Sequence, residues 1–350
     1  ERYVPAEAAL EAALVPLPDY LRVHEALGLM YLRMKRYADS RVELTRAAEL
    51  GLNTAGLHAT LGYLNSATKN YWGAASAYQQ ALTMDPGNRN VQTSLLHALN
   101  ETNQYASALA LVEQMLEDDP NDPVLWLYRA QLSLSTDERD SALTSLEAAI
   151  RLGDDSVANK QVCATLHMER GSVARAVELL KSLPPNGLEF QFMDQALAWL
   201  ASENQWDYLR DLLGAVVDRR STLTAAQRSH LLTRRAALEL HDGNRQTAKA
   251  SLQQALDLDP ANAEALMDLG QAYRDDRDYS RAETLLQRAS ALEGYRDNAL
   301  VSLAQLAIDQ QDFERALTLL RDVVSRNPGR TDLARNVDTL ENLVRERPSN

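Results

Sequence analysis

Six histidines, one cysteine and 49 carboxylates are the groups in this 350-residue chain that could carry acid–base, nucleophilic or metal chemistry. Their spacing organises none of it. There is no Gly-rich phosphate loop, HExxH pair, paired CxxC or nucleophile elbow in the sequence. His230 and His241 stand eleven residues apart, three turns of one helix, so both could face one way; a metal there would need a third ligand that the spacing does not supply. Asp118, Asp119, Asn121 and Asp122 crowd oxygens together in the manner of a calcium loop, but Pro120 and Pro123 interrupt that spacing and make the segment a turn. His97 and His167 are single polar residues near helix faces, and the lone Cys163 cannot form an internal disulfide. No catalytic residue, metal ligand or cofactor is assigned, and the chain reads as non-catalytic.

Chemistry gives way to periodicity. Ala55 to Asn88 contains Leu61, Gly62, Tyr71, Ala74, Tyr78, Ala81 and Pro86, spaced as two short amphipathic helices and a stop, and the same residue types return every 34 residues. Leu27, Gly28, Tyr31, Tyr37, Leu44 and Ala47 fill the frame over 21–54, and it continues through 89–122 and 123–156. It restarts at Ser229 and runs through 229–262, 263–296 and 297–330, with Leu266, Leu269, Gly270, Tyr273, Tyr279, Ala282, Leu286 and Ala289 in the middle unit. At 100° per residue, slots 4, 7, 8 and 11 make one stripe of the first helix, and slots 17, 20, 24 and 27 one stripe of the second. Gly28, Gly62 and Gly270 sit where two backbones must approach closely. A helical pair with such stripes cannot bury its own apolar surface and needs a neighbour on each side.

This set of slots resembles the tetratricopeptide repeat (TPR): a bulky residue at slot 4, where His24 and His58 stand as core residues, Leu-Gly at 7 and 8, Tyr at 11, small residues at 20 and 27, and Pro at 32. The resemblance implies an all-α, right-handed α-solenoid, a superhelix of about nine TPR-like hairpins with a C-terminal capping helix. The expected organisation is a first array over 1–187, beginning with a half repeat at 1–20 and ending in a short repeat at 157–187. An irregular seam follows at 188–228, with Pro184, Pro185, Asn186 and Gly187 as a turn-rich stop before it and five inserted residues, Thr224 to Arg228, at its end. A second array covers 229–330, and 331–350 is a capping helix and tail with Thr331 as its N-cap and Asp332 in its first turn.

Slots 2, 5, 6, 9 and 13 of each first helix point away from the packing stripe, onto the concave side where solenoids of this kind bind partners. In the first array these are Arg22, Leu29, Tyr63, Asn90, His97, Leu127, Tyr128 and Gln131, mostly neutral with apolar anchors. In the second they are His230, Arg234, Glu264, Asp268, Gln271, Asn298 and Gln305, which are more polar. The Lys, Asn and Arg pattern by which TPR proteins clamp a chaperone's C-terminal carboxylate is missing: the corresponding residues are Glu25, Leu29, Thr60, Asn90 and Ser94. Tyr63, Leu127 and Tyr128 point instead to a protein or peptide segment held by apolar anchors. Trp72, beside the aromatic slot at Tyr71, is expected outside.

A formal charge of −13, with 36 basic against 49 acidic residues, excludes the basic surface that a phosphate backbone demands, so no nucleic-acid partner is expected. No apolar run reaches the ~20 residues of a membrane span. The chain begins at Glu1 rather than Met, and with its half repeat this reads as a piece of something longer or a processed chain. Five lysines against 31 arginines suggest a bacterial source, leaning to the periplasm or cell envelope. The leading expectation is therefore a protein–protein interaction scaffold. The alternatives are the TPR portion of an envelope machine for exopolysaccharide export or pilus assembly, and the substrate-presenting arm of an attached enzyme such as a glycosyltransferase. Exposed array ends also permit self-association.

Overall fold

The computed structural model describes residues 3–183, 190–217 and 223–346. Among them are twenty α-helices and no strand. The chain divides into two compact units, Glu1–Leu166 and His167–Asn350. The first holds α1 (Tyr3–Leu14), α2 (Leu21–Arg33), α3 (Tyr37–Glu49), α4 (Ala55–Ala67), α5 (Tyr71–Met84), α6 (Arg89–Glu101), α7 (Tyr105–Asp118), α8 (Pro123–Ser135) and α9 (Arg139–Arg151). Helix α10 (Val157–Glu169) contains the division. The second unit continues with α11 (Val173–Ser182), α12 (Phe190–Ser202), α13 (Trp206–Val217), α14 (Ala225–His241), α15 (Arg245–Leu258) and α16 (Ala263–Asp275). It ends with α17 (Tyr279–Ser290), α18 (Arg296–Asp309), α19 (Phe313–Arg326) and α20 (Thr331–Glu346).

Each hairpin closes through the same turn. A residue with positive φ ends the first helix at Lys35, Lys69, Asn103, Asp137, Gly171, Asn204, Gly243, Arg277 and Gln311. The next N–H then reaches back five residues, as Arg36 N–H does to the Tyr31 carbonyl at 2.9 Å and Asn70 N–H to Asn65 at 2.8 Å. This is the Schellman arrangement, which satisfies carbonyls the helix end would otherwise orphan. The residue making that long bond is also the N-cap of the second helix, as at Asn70, Asp278 and Asp312, whose side chains accept an amide N–H of the new first turn. Stop and start share three residues, so the two helices are forced antiparallel and into contact.

What lets them touch is a small residue at the crossing. A Cβ placed on Gly28 would lie 2.5 Å from Leu44 Cγ, one on Gly62 2.5 Å from the Tyr78 ring, and one on Gly270 3.0 Å from Leu286. Leu44, Tyr78 and Leu286 are themselves buried. Around these crossings the stripes merge into clusters that run from hairpin to hairpin, as from Ala74 and Tyr78 through Leu95 and Leu99 to Met115 and Leu125. At the start, α1 lays Leu10, Ala13 and Leu14 on Val23, Leu27, Met30 and Tyr31. At the other end α20 covers α19 with Leu333, Val337 and Leu340, leaving its charges outside.

Three local expectations change. Thr224 to Arg228 are not a spacer: Thr224 caps α14 in a capping box, accepting from Gln227 N–H at 3.2 Å while Gln227 Oε1 accepts from Thr224 N–H at 2.9 Å. Ala225 to Arg228 thus add a turn to the front of that helix. Thr331 is the first residue of α20 rather than its N-cap, while Asp332 stands in the first turn as expected and is also held by Arg330 at 2.8 Å, its carboxyl lowered to about 2. His230 and His241 are not a ligand pair, because eleven residues carry the helix ~16 Å along its axis. His230 sits beside Phe190 and Asp194, and His241 stacks flat on Trp206 at 4.3 Å. The expected turn at Pro184, Pro185, Asn186 and Gly187 lies outside the described residues. Among the described residues no helix is long and apolar enough to cross a membrane.

Gly62→Ala should lower the stability of the chain by about 1–3 kcal/mol in urea denaturation, because the Tyr78 ring cannot retreat from a packed hairpin. Gly56→Ala, on the same helix with open space around it, should raise stability by about 0.5–1 kcal/mol. Equal effects from the two substitutions would contradict the crossing as the critical contact.

Candidate partner-binding surfaces

The first unit presents an apolar groove. Helix α8 forms one wall with Val124, Leu127, Tyr128, Gln131, Leu134 and Ser135, and α10 contributes Asn159 and Val162. It encloses about 640 Å³, within the range that accommodates a handful of side chains. Val124, Leu134 and Val162 are exposed along it, whereas Leu127 and Tyr128 are half-buried, Tyr128 with its ring packed on the cluster beneath. Three of the residues expected from slot geometry, Leu127, Tyr128 and Gln131, therefore line one groove. Val124 stands at slot 2 of the same frame and was legible there, but Leu134 and Val162 were not anticipated.

The remaining slots of this unit do not join that groove. Arg22 is exposed and paired with Glu25 at 3.1 Å. Leu29 is exposed, and Tyr63 is exposed with its ring edge-on to Tyr37 at 6.0 Å. Asn90 is exposed, and His97 is exposed with its ring tilted against Tyr71 at 5.7 Å. Trp72 stands out on the surface of α5 at 65% exposure. The slot-4 histidines are held by hydrogen bonds: His24, buried, contacts Glu43 at 2.6 Å and the Pro18 carbonyl at 2.8 Å, and half-buried His58 contacts Asn53 at 2.8 Å.

The second unit is built on charge. Arg234 is 8% exposed and lies between neighbouring helices. Its Nε and Nη2 donate to the Asp194 carboxylate of α12 at 2.9 and 3.3 Å, and its Nη1 donates to Glu264 of α16. His230, one turn earlier on α14, faces the same Asp194 at 3.4 Å. Burial works against the Asp194 charge, yet His230 and Arg234 hold its carboxyl below the ordinary value, while Asp194 raises His230. Asp268, one turn beyond Glu264, has no hydrogen bond or ion pair of its own among the described residues; burial and the Glu264 charge push its carboxyl up to about 7. Tyr295 borders the group and is raised by burial and by Glu264. Gln271 and Gln305 are joined separately by Arg274, which donates to both at 3.2 Å and to Asp309 at 2.5 Å.

Slot geometry thus singled out His230, Arg234, Glu264 and Asp268, which the fold gathers, and missed Asp194, Phe190 and Tyr295. Asp194 lies in the degraded repeat 190–223, whose first helix lacks the Leu-Gly and Tyr marks of the others, and Tyr295 lies in a loop before a first helix. Asp268 predicts a pH dependence. Its folded-state carboxyl titrates about 7 against 3.8 ordinarily, so it binds its proton more tightly when folded. The stability it contributes is full below the unfolded value and is lost as pH rises through the folded one. Asp268→Asn should therefore be more stable than the parent at about pH 8, by about 1–2 kcal/mol once solvent screens the effect, and should flatten the fall in stability between about pH 4 and about pH 7 in urea titrations.

A profile of the family described as "Tetratricopeptide repeat" matches residues 67–132, 239–294 and 273–336. No curated protein matches the chain. Among solved structures, yeast Tom70 is 13% identical, with 99% of this chain and 94% of that chain covered at a TM-score of 0.47. The complex of Naa15 and Naa10 bound to HypK is 16% identical over 97% of this chain at 0.46, and this chain spans 63% of the length of the chain it matches there. The C-terminal part of a TPR repeat-containing protein from Cytophaga hutchinsonii is 12% identical, covering 68% of this chain and 96% of that one at 0.46. With the 34-residue frame, nine hairpins among the described residues turned in the same way and small residues at the crossings, the chain belongs to the tetratricopeptide-repeat family, whose arrays serve in general as protein-interaction scaffolds.

Proposed function

We propose that this chain is a non-catalytic scaffold that takes an amphipathic helix of a partner protein into the α8–α10 groove. The observation that carries the reading is the row of exposed aliphatic side chains, Val124, Leu134 and Val162, flanking half-buried Leu127 and Tyr128. Such side chains gain free energy when a second apolar surface displaces their water. A helix suits the groove better than an extended peptide does. Among the described residues there is no sheet edge to lengthen, and the backbone of α8 satisfies its own hydrogen bonds, so affinity must come from side-chain anchors at i, i+3 or i+4 and i+7. Gln131, Ser135 and Asn159 add a neutral polar rim that fixes register without demanding a charged partner.

Peptides selected on the whole chain from a random display library should converge on that apolar spacing and become helical when bound. Leu134→Glu places a charge in the groove while altering an exposed position, so it should weaken those peptides about tenfold or more, with the melting temperature retained. Peptides that bind parent and variant alike would assign recognition to another surface.

A further inference from the structure

The charged cluster of the second unit joins three helices through a single permanent cation, and its balance is incomplete. Arg234 of α14 serves Asp194 of α12 and Glu264 of α16 at once. The third carboxylate, Asp268, shares α16 with Glu264 and, among the described residues, makes no hydrogen bond or ion pair, though the Arg234 charge acts on it. The second possible cation is His230, beside Asp194. Among the described residues these five groups, with the Tyr295 hydroxyl at the border, are the ionisable groups that act on Asp194, His230 and Asp268. With a proton on His230 and one on Asp268 the set is neutral. Without them two negative charges are left over on a part-buried surface.

We propose that this cluster is a pH-responsive clamp on α12, tight at mildly acidic pH and loosened above neutrality. The reason is competition for one guanidinium. When Asp268 is protonated, Arg234 is free to hold Asp194 with two nitrogens. When Asp268 ionises, α16 presents two carboxylates to Arg234 against one from α12, and the deprotonation of His230 removes the other cation facing Asp194. Both changes subtract from the same contact, the one between α12 and α14, and a part-buried ion pair is where such a change has its largest effect. Helix α12 otherwise rests on an ordinary apolar stripe, Met193, Ala196, Leu197 and Leu200, so losing the clamp loosens the helix without unfolding the unit.

Hydrogen exchange read by mass spectrometry on the full chain tests this. After correction for the intrinsic rate, amides of α12 should lose about three- to fivefold protection between about pH 6 and about pH 8.5, the factor expected when one part-buried ion pair weakens. Amides of α4 and α5 in the first unit, which carry none of these groups, should not change. Asp268→Asn should lose clearly less protection in α12 than the parent over the same range, the remainder tracing to His230. Equal loss in the parent and in Asp268→Asn, or no loss in the parent, overturns the clamp. A carbon-13 NMR titration of the parent provides a check that needs no variant: a midpoint near neutrality for the Asp268 carboxyl supports the clamp, and one near the ordinary carboxylate value refutes it.

Discussion

A helical hairpin of this length has two apolar faces and can cover only one of them by folding on itself. Everything else in the molecule answers that shortfall. Within a hairpin the covered face depends on how near the two backbones come, and Gly28, Gly62 and Gly270 set that distance by leaving room for a leucine or a tyrosine from the opposite helix. Between hairpins the uncovered face passes to the next pair, so burial accumulates by neighbours instead of gathering around one centre. Helix α20 ends the series by presenting apolar residues on one side and charges on the other.

The parts of this design that use side-chain type were legible in the sequence. Leu, Gly, Tyr and Ala at fixed slots announce the stripes because each fills a space whose size the helix geometry dictates. The parts that use backbone conformation were not. The left-handed residue of each hairpin turn is glycine at two of nine places, Gly171 and Gly243; elsewhere it is Lys, Asn, Asp, Arg or Gln, and residues that common carry no signal. The front of α14 was misread for a related reason, since Thr224 and Gln227 form their capping box outside the periodic frame. The candidate sites divide the same way. Leu127, Tyr128 and Gln131 could be placed by counting slots, whereas Asp194 reaches Arg234 through tertiary packing of a repeat whose first helix has lost its marker residues.

The two units use their first helices differently. In the first, the slots turned away from the packing stripe carry aliphatic and aromatic groups that water covers poorly. In the second, the same slots carry groups that neutralise one another, so that much of the surface is already engaged in internal ion pairs. A surface of the first kind favours any apolar contact that fits. One of the second kind has to be paid for in broken pairs before a partner can use it.

The three-residue turn also governs how such a chain can change length. Adding one residue there would rotate the second helix by ~100° about its axis and carry its stripe off the first helix. A residue added between hairpins only lengthens a connection or, as with the residues after Thr224, the front of a helix. Left-handed residues spaced at 34 through most of the chain, but at 33 from Gly171 to Asn204 and 39 from Asn204 to Gly243, show both departures falling outside the turns. Insertions and deletions are thereby steered to the joints, and each hairpin travels through sequence drift as an indivisible block.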